Sequence, residues 1–446
     1  MNRWTTRLLA EYTRDLSTAI PSEALGAAAG NALIDLFGCA AAGIATPAAQ
    51  AACATVQKLY ADGPAHIWFG RGNRCAAGAA LVNSTAASAL DLDDGHRRAG
   101  GHPGAAIVPA AMAVGPAAGA TGRDLILALA AGYEVAVRVA AARDFSRLDT
   151  LSTGRWCAYG VTAAAALLLR DPPEVIAQAF SIAGVLSPGL SAAGYSTLMG
   201  NQVKEGIPWA VMTGLTALEL ARQGMTGPMD ILDHSGYYDA AAIRADLGRG
   251  FLLAGAYFKP YACCRWIHSA VDALAALMTA PDGRTRRPAE ILTLEVHTFE
   301  RALRLNNYAD PETLEAAQYS LPFCLALSAK KGVGALLPLS AGHLHQPEVI
   351  DLARRVRLYV DPDLDSRFPD EVGARVRVQF ADGPAEKTVR HPLGDPANPM
   401  SRRMLTDKFR KLAAGTLGTE RLDALPKMIA RLNELPDLQP IMDCLA

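Results

Sequence analysis

Apolar residues recur with the 3.6-residue period of helices from residue 22 to about 250, and short Gly/Pro punctuation separates one run from the next. In SEALGAAAGNALIDLFGCAAAG, which starts at residue 22, Leu25, Ala28, Leu33, Leu36 and Phe37 fall at helical spacing behind Ser22, a good N-cap residue. The spacing predicts further helices over 121–143, 162–170, 172–183 and 207–223, the last stopped by Gly224. Near residue 255 the period changes. ILTLEVHTFE (291–300), RVRLYVDP (355–362) and ARVRVQFADG (374–383) alternate apolar and polar positions as half-buried strands do. Helical spacing returns in SRRMLTDKFRKLAAGTL and LDALPKMIARLNEL near the end of the chain. The pattern predicts a mainly α protein: a large helical domain over 1–254, completed by 400–446, with a smaller α/β (α+β) domain over 255–399 inserted into it. The proline-rich stretch PLGDPANPMS (392–401) marks the second boundary, and a cleft between domains is a common place for a ligand.

Composition narrows the partners. Hydrophobic residues make up 50% of the 446 but aromatics only 6%, so alanine, leucine and valine carry the apolar mass and favour closely packed helices. A net charge of -1 supplies no field to attract nucleic acid or an anionic membrane, which leaves a small molecule or a protein as the expected partner. The eight cysteines show no C-x-x-C pair or metal-type Cys/His ladder and read as reduced thiols of a cytoplasmic protein. Acidic residues enter MNRWTTRLLAEYTRDL before any long apolar run, so no secretory signal is expected. The apolar stretch 104–120 is broken by Pro109 and Pro116 and is shorter than the roughly 20 residues a membrane span requires.

The densest chemistry lies in ALDLDDGHRRAGGHPGAAIVPA (89–110), with Asp91, Asp93, Asp94, His96 and His102 within twelve positions. Packed carboxylates repel and raise one another's pKa. The cluster is either a solvated helix end or a carboxylate beside an imidazole, the pair that sets a general acid or base near neutral pH. Lys204 stands just before an amphipathic helix, where a lone lysine is ordinarily a surface charge. FKPYACCRWIHSAVDALAAL (258–277) brings Lys259, Cys264, Arg265 and His268 to the change of period; two cations there fit a carboxylate clamp, or Arg265 forms an interface salt bridge and His268 is a core histidine. STGRWCAYGVTAAAALLLR (152–170) places Arg155, Trp156, Cys157 and Tyr159 at a glycine-bracketed helix start, which favours an anion. Tyr319, in AAQYSLPFCLALSAKKG (316–332), precedes another, Pro-containing helix start. No metal is expected. Magnesium sites of Asp-rich helices, as in isoprenoid-type synthases, need carboxylates from two facing helices, and the other acidic run, DPDLD at 361–365, begins in a proline turn after a strand.

Taken in order, LDLDDGH with HPG near residue 100, GYEVAVRVA (132–140), the glycine turn into the alanine helix (154–169), AFSIAGVLSPGL (179–190), Lys204 followed by GMTGP, KPY (259–261) and YSLPF (319–323) resemble the MmgE/PrpD family over nearly the whole chain. The resemblance implies a large helical domain plus a smaller lid, usually in a homodimer, with the cleft between them acting on a small polycarboxylate without iron–sulfur cluster, nucleotide or other cofactor. It implies proton transfer α to a carboxylate, first as a dehydratase (hydro-lyase). The alternatives are an epimerase of an aspartate-derived dicarboxylate such as iminodisuccinate, a decarboxylase of the cis-aconitate type, or a non-catalytic dicarboxylate binder. Residue by residue, Asp91 matches the first aspartate of the D-x-D-D run, His102 the HPG histidine, Lys204 and Lys259 the two family lysines, and Tyr319 a lid-side aromatic. Lys204, Lys259 and Arg265 would grip carboxylates while His102, oriented by Asp91, exchanges the proton and Tyr159 or Tyr319 serves the opposite face. His96, Arg155, Cys157 and Cys264 complete the expected substrate contacts. The chain departs from the family pattern at Gly95, where threonine is usual, at Cys157 and Cys264, where histidines are usual, and at Ala262, where proline is usual.

Overall fold

Ser22 caps the helix Glu23–Gly43 through its hydroxyl, which accepts from Leu25 N at 3.2 Å. Thr121 and Asp124 close a capping box at the start of Gly122–Ala141. Both starts agree with the sequence pattern in this computed structural model, which describes residues 4–148, 151–187 and 200–446. The last three positions of AFSIAGVLSPGL lie outside the described residues. Glu23–Gly43 is long and apolar enough to cross a membrane, but most of it is buried against Ala76–Ser88 and Arg402–Ala413 inside the fold.

The helix expected over 162–170 begins earlier and spans Cys157–Leu168, so Gly160 lies within it rather than in a preceding turn. Packing explains the difference. A Cβ on Gly160 would sit 2.5 Å from the Gly132 carbonyl, so the two glycines let this helix and Gly122–Ala141 meet backbone to backbone. The resulting contact is among the tightest in the helical part and fixes the segment that carries Thr153 and Cys157.

Three strands form as the alternation predicts, in a sheet ordered Val356–Val360, Ile291–Thr298, Ala374–Phe380, Gly383–Val389. The first pair is parallel and the other two are antiparallel. The fourth strand was not visible in the sequence, because GPAEKTV carries no apolar alternation; it is a mostly exposed edge held by a hairpin return at Gly383. The helix Arg265–Leu277 covers one face of this sheet.

Buried apolar residues form one large cluster drawn from residues 9–258 and 400–445, and a second drawn mainly from 261–380. The C-terminal helices therefore return to the first cluster, where Lys408 pairs with Asp35 at 2.6 Å. The chain passes between the clusters twice, and the crossings lie side by side: Phe258 N donates to Gly394 O at 3.1 Å. Next to them Gly95–His96 pairs antiparallel with Ala256–Tyr257, which brings the acidic cluster to the junction.

Candidate active site

The loop that follows Ala76–Ser88 turns at Asp91, whose φ of 54° is the left-handed conformation that aspartate tolerates better than most residues. This turn aims one carboxylate oxygen at two ammonium groups. Asp91 Oδ1 lies 3.2 Å from Lys204 Nζ and 3.4 Å from Lys259 Nζ, and all three side chains are buried. Burial alone would raise the Asp91 pKa, but Lys204 and Lys259 together outweigh it and hold the carboxyl below the usual carboxylate range. Burial likewise disfavours the Lys259 ammonium, and Asp91 and Asp93 more than compensate. Lys204 also donates to Gln318 Oε1 at 2.9 Å and lies 5.4 Å from the Tyr319 ring centre, while Gln318 Nε2 donates to Ala89 O. One carboxylate thus ties together segments near 90, 204, 259 and 318.

The imidazole is built from the next turn of the same loop. His102 Nδ1 lies 2.8 Å from Asp94 O, and because a carbonyl only accepts, Nδ1 carries the hydrogen and Nε2 keeps its lone pair. Nε2 is 4.0 Å from Glu205 Oε1. The other Glu205 oxygen accepts from Thr153 N at 3.1 Å and Thr153 Oγ1 at 2.8 Å, so the carboxylate is fixed in place. Asp93 Oδ2 is 3.7 Å from Nδ1. Lys204, Glu205 and Gly206 all have positive φ, and this run of left-handed residues sends Lys204 inward to Asp91 while Glu205 faces His102.

Asp94 accepts from Gly104 N at 3.0 Å and from Tyr133 OH at 2.6 Å. Burial, assisted by Asp35 and Asp93 and opposed by the Tyr133 hydroxyl, raises its pKa to about 7. An unfolded aspartate titrates near ~3.9. Between these values the native state binds more protons than the unfolded state, so this group's contribution to stability falls as pH rises from about 4 to about 7. Asp94→Asn is expected to remove roughly 2–3 kcal/mol of that decline between pH 5 and pH 7.5. Urea unfolding of both proteins at pH 5 and pH 7.5 checks this, and an unchanged difference between the two pH values contradicts it.

Of these groups His102, Glu205 and Tyr319 border a cavity of about 110 Å³ between the helical part and the sheet part. His96, Arg97, His102, Ser152, Glu205 and Tyr257 form its wall on one side, and Cys264, Arg265, Arg301, Arg304 and Tyr319 on the other. Arg97 is held by Asp395, yet its Nη1 is buried with no hydrogen-bond partner among the described residues. Arg265 donates to Leu393 O and Pro392 O and to Nδ1 of His268 at 3.2 Å, and His268 is a fully buried core histidine. Burial lowers the His96 pKa to about 4; its Nε2 faces Leu252 O and so carries the hydrogen. Burial pushes the Cys264 thiol up to about 12, so it is uncharged. Among the described residues no group of three or more His, Cys, Asp or Glu side chains is arranged to hold a metal ion.

The structure brings some of the residues singled out in the sequence to the cavity and leaves others away from it. His96, His102, Cys264, Arg265 and Tyr319 reach the cavity. Lys204 and Lys259 lie one layer behind its wall, where they face Asp91 rather than open space, and Asp91 sits between them rather than against His102. The groups that touch the imidazole ring are Asp93 and the Asp94 carbonyl. Tyr159 is not brought to the cavity. It is buried in the helical core against Phe180, with Gly184 packed on its hydroxyl, because the helix start predicted near 162 lies instead at Cys157 and turns position 159 inward. Arg155 is buried and does not line the cavity, and Cys157 donates its thiol to Pro103 O at 3.6 Å behind His102. Gly95 has a local reason: a Cβ there would lie 2.3 Å from the Tyr257 hydroxyl, so Tyr257 occupies the space that a side chain at 95 would take. Glu205, Arg97, Arg301 and Arg304 were not singled out from the sequence. Glu205 is adjacent to Lys204, but the left-handed backbone that divides their directions has no residue signature.

Two family models match consecutive stretches of the chain. The MmgE/PrpD N-terminal domain matches residues 7–249 and the MmgE/PrpD C-terminal domain residues 261–434. The chain is similar to cis-aconitate decarboxylase of Aspergillus terreus, 27% identical with 96% of this chain and 92% of that protein covered. It is 25% identical to the cis-aconitate decarboxylase of Mus musculus (80% and 76% covered) and 26% to that of Homo sapiens (80% and 77% covered).

Proposed function

Because the chain belongs to the MmgE/PrpD family, we propose that it is a lyase that moves a proton at the carbon next to a carboxylate of a small polycarboxylic acid, with His102 as the proton carrier. The observation that supports this reading is the fixed tautomer of His102. With Nδ1 committed to the Asp94 carbonyl, the Nε2 lone pair is the base on the cavity wall, and Glu205 is placed to stabilise the imidazolium that forms.

In the dehydratase form of this reading, Nε2 takes the carbon-bound proton, the C–H pair becomes the new double bond, and the β-hydroxyl leaves as water after receiving the proton from the imidazolium. Arg97, through its unmet Nη1, and the neighbouring arginines on the wall supply the charge that draws the substrate carboxylates. Asp91, Lys204 and Lys259 act as a buried strut that sets the distance between the two walls, and the sheet part serves as a lid over the acid. Decarboxylation is the second reading, favoured by the similarity to cis-aconitate decarboxylases along 96% of the chain. In it the C–CO2 bond breaks, its electron pair stays on carbon, carbon dioxide leaves, and His102, having first taken a proton from solvent on Nε2, gives that proton to the carbanion.

The purified protein is tested with citrate, 2-methylcitrate, cis-aconitate and aspartate-derived dicarboxylates, scoring water loss by the ultraviolet absorbance of the double bond and carbon dioxide by trapping. Double-bond formation without carbon dioxide is the expected result. Carbon dioxide release moves the assignment to the decarboxylase reading, and absence of any reaction or hydrogen exchange overturns both.

A further inference from the structure

The cavity is chemically two-sided, and the reaction proposed above uses only its polar side. Phe145, Leu151, Leu305, Phe368, Pro369 and Val372 line most of the remainder, with Trp266 beside Phe368. Phe145 and Leu151 come from the helical part and meet at Gly100, where a Cβ would lie 3.0 Å from Leu151 Cδ1 and 3.3 Å from Phe145 Cε2. The other four come from the sheet part, where Phe368 stacks on Phe299 at 4.7 Å and stands edge-on to Trp266 at 5.8 Å, so this wall is rigidly backed. Leu305 and Val372 are 5% exposed.

A small tricarboxylate such as citrate has nothing to offer these surfaces. It bears a carboxylate or hydroxyl on most of its carbons, and setting those groups against phenylalanine, leucine and valine would strip their water without giving back hydrogen bonds. Ordered water fares no better on a wall without polar partners. Hydrocarbon is the matching chemistry, and it must be joined to the polycarboxylate because both surfaces belong to one cavity with His102 and Arg97.

Resting on the lyase reading, we infer that the substrate is a polycarboxylic acid bearing an alkyl substituent longer than methyl, and that Phe145, Leu151, Leu305, Phe368 and Val372 hold this chain. Burying each methylene should raise kcat/KM by about fourfold until the apolar section is filled.

The test is a series of citrates carrying hydrogen, methyl, butyl or hexyl on one methylene carbon, with the matching cis-aconitates, assayed on the full-length protein. The expected result is a kcat/KM that climbs by about fourfold per methylene from methyl toward butyl, with the climb flattened in both Leu151→Asp and Phe368→Ser, two half-buried positions. A flat or falling series in the wild-type protein overturns the inference and leaves the lyase reading standing, because the two apolar walls then serve only to meet each other. If no acid of either series is converted or exchanges hydrogen with solvent, the lyase reading fails and the inference falls with it.

Discussion

His102→Asn is expected to lower kcat by about 10²–10⁴-fold, the usual contribution of a positioned general acid or base, while the protein keeps its fold. Asparagine can still donate to the Asp94 carbonyl, so the bond that organises the loop at 2.8 Å survives and only the Nε2 lone pair is lost. KM should change little, because the carboxylate-binding charge lies on the arginines of the wall. Steady-state kinetics beside a thermal melt separates the two effects. A variant that melts with the wild-type protein and keeps kcat within tenfold removes His102 from the chemistry.

Asp91→Asn should have the largest effect on stability, about 3–5 kcal/mol, as when one partner of a buried ion pair is removed. Its single Oδ1 serves two ammonium groups, at 3.2 Å and 3.4 Å, and the amide would leave Lys204 and Lys259 facing each other across a dry interior. The double variant Asp91→Asn/Lys259→Met should be more stable than Asp91→Asn alone, since it deletes one of the two unpaired charges. Urea unfolding measures both. A loss below about 1 kcal/mol in the single variant, or strict additivity in the double, contradicts the strut.

The helices and three of the four strands were legible because burial imposes a period on the sequence: Leu25, Leu33 and Leu36 all face the helical core. The edge strand Gly383–Val389 escaped because an exposed strand with few buried positions has no period to show. The site was legible as a list of residues and not as an arrangement. Charge spacing pointed to Asp91, His102, Lys204 and Lys259, but which carboxylate meets which cation depends on backbone turns at Asp91 and at Lys204–Glu205–Gly206, whose directions charge spacing does not reveal. The sequence reading joined Asp91 to His102; the fold instead places Asp91 between the lysines and gives His102 the Asp94 carbonyl, Asp93 and Glu205. Tyr159 shows the same limit in reverse. A glycine-bracketed helix start suggested a binding loop, whereas Gly160 is there for contact with the Gly132 carbonyl, and the tyrosine beside it packs into the core.

A proton exchanged between one imidazole nitrogen and carbon is measured directly as deuterium uptake. Wild-type protein and His102→Asn are incubated in D₂O with the unsaturated acid, whose carbon next to a carboxylate gains a proton in hydration (the reverse of the elimination) as in decarboxylation, and the hydrogen at that carbon of the product is followed by proton NMR. The wild-type protein is expected to place one solvent deuterium at that carbon for each molecule converted, and the variant none. Conversion with no deuterium at that carbon, or wild-type exchange by His102→Asn, would contradict this role of His102.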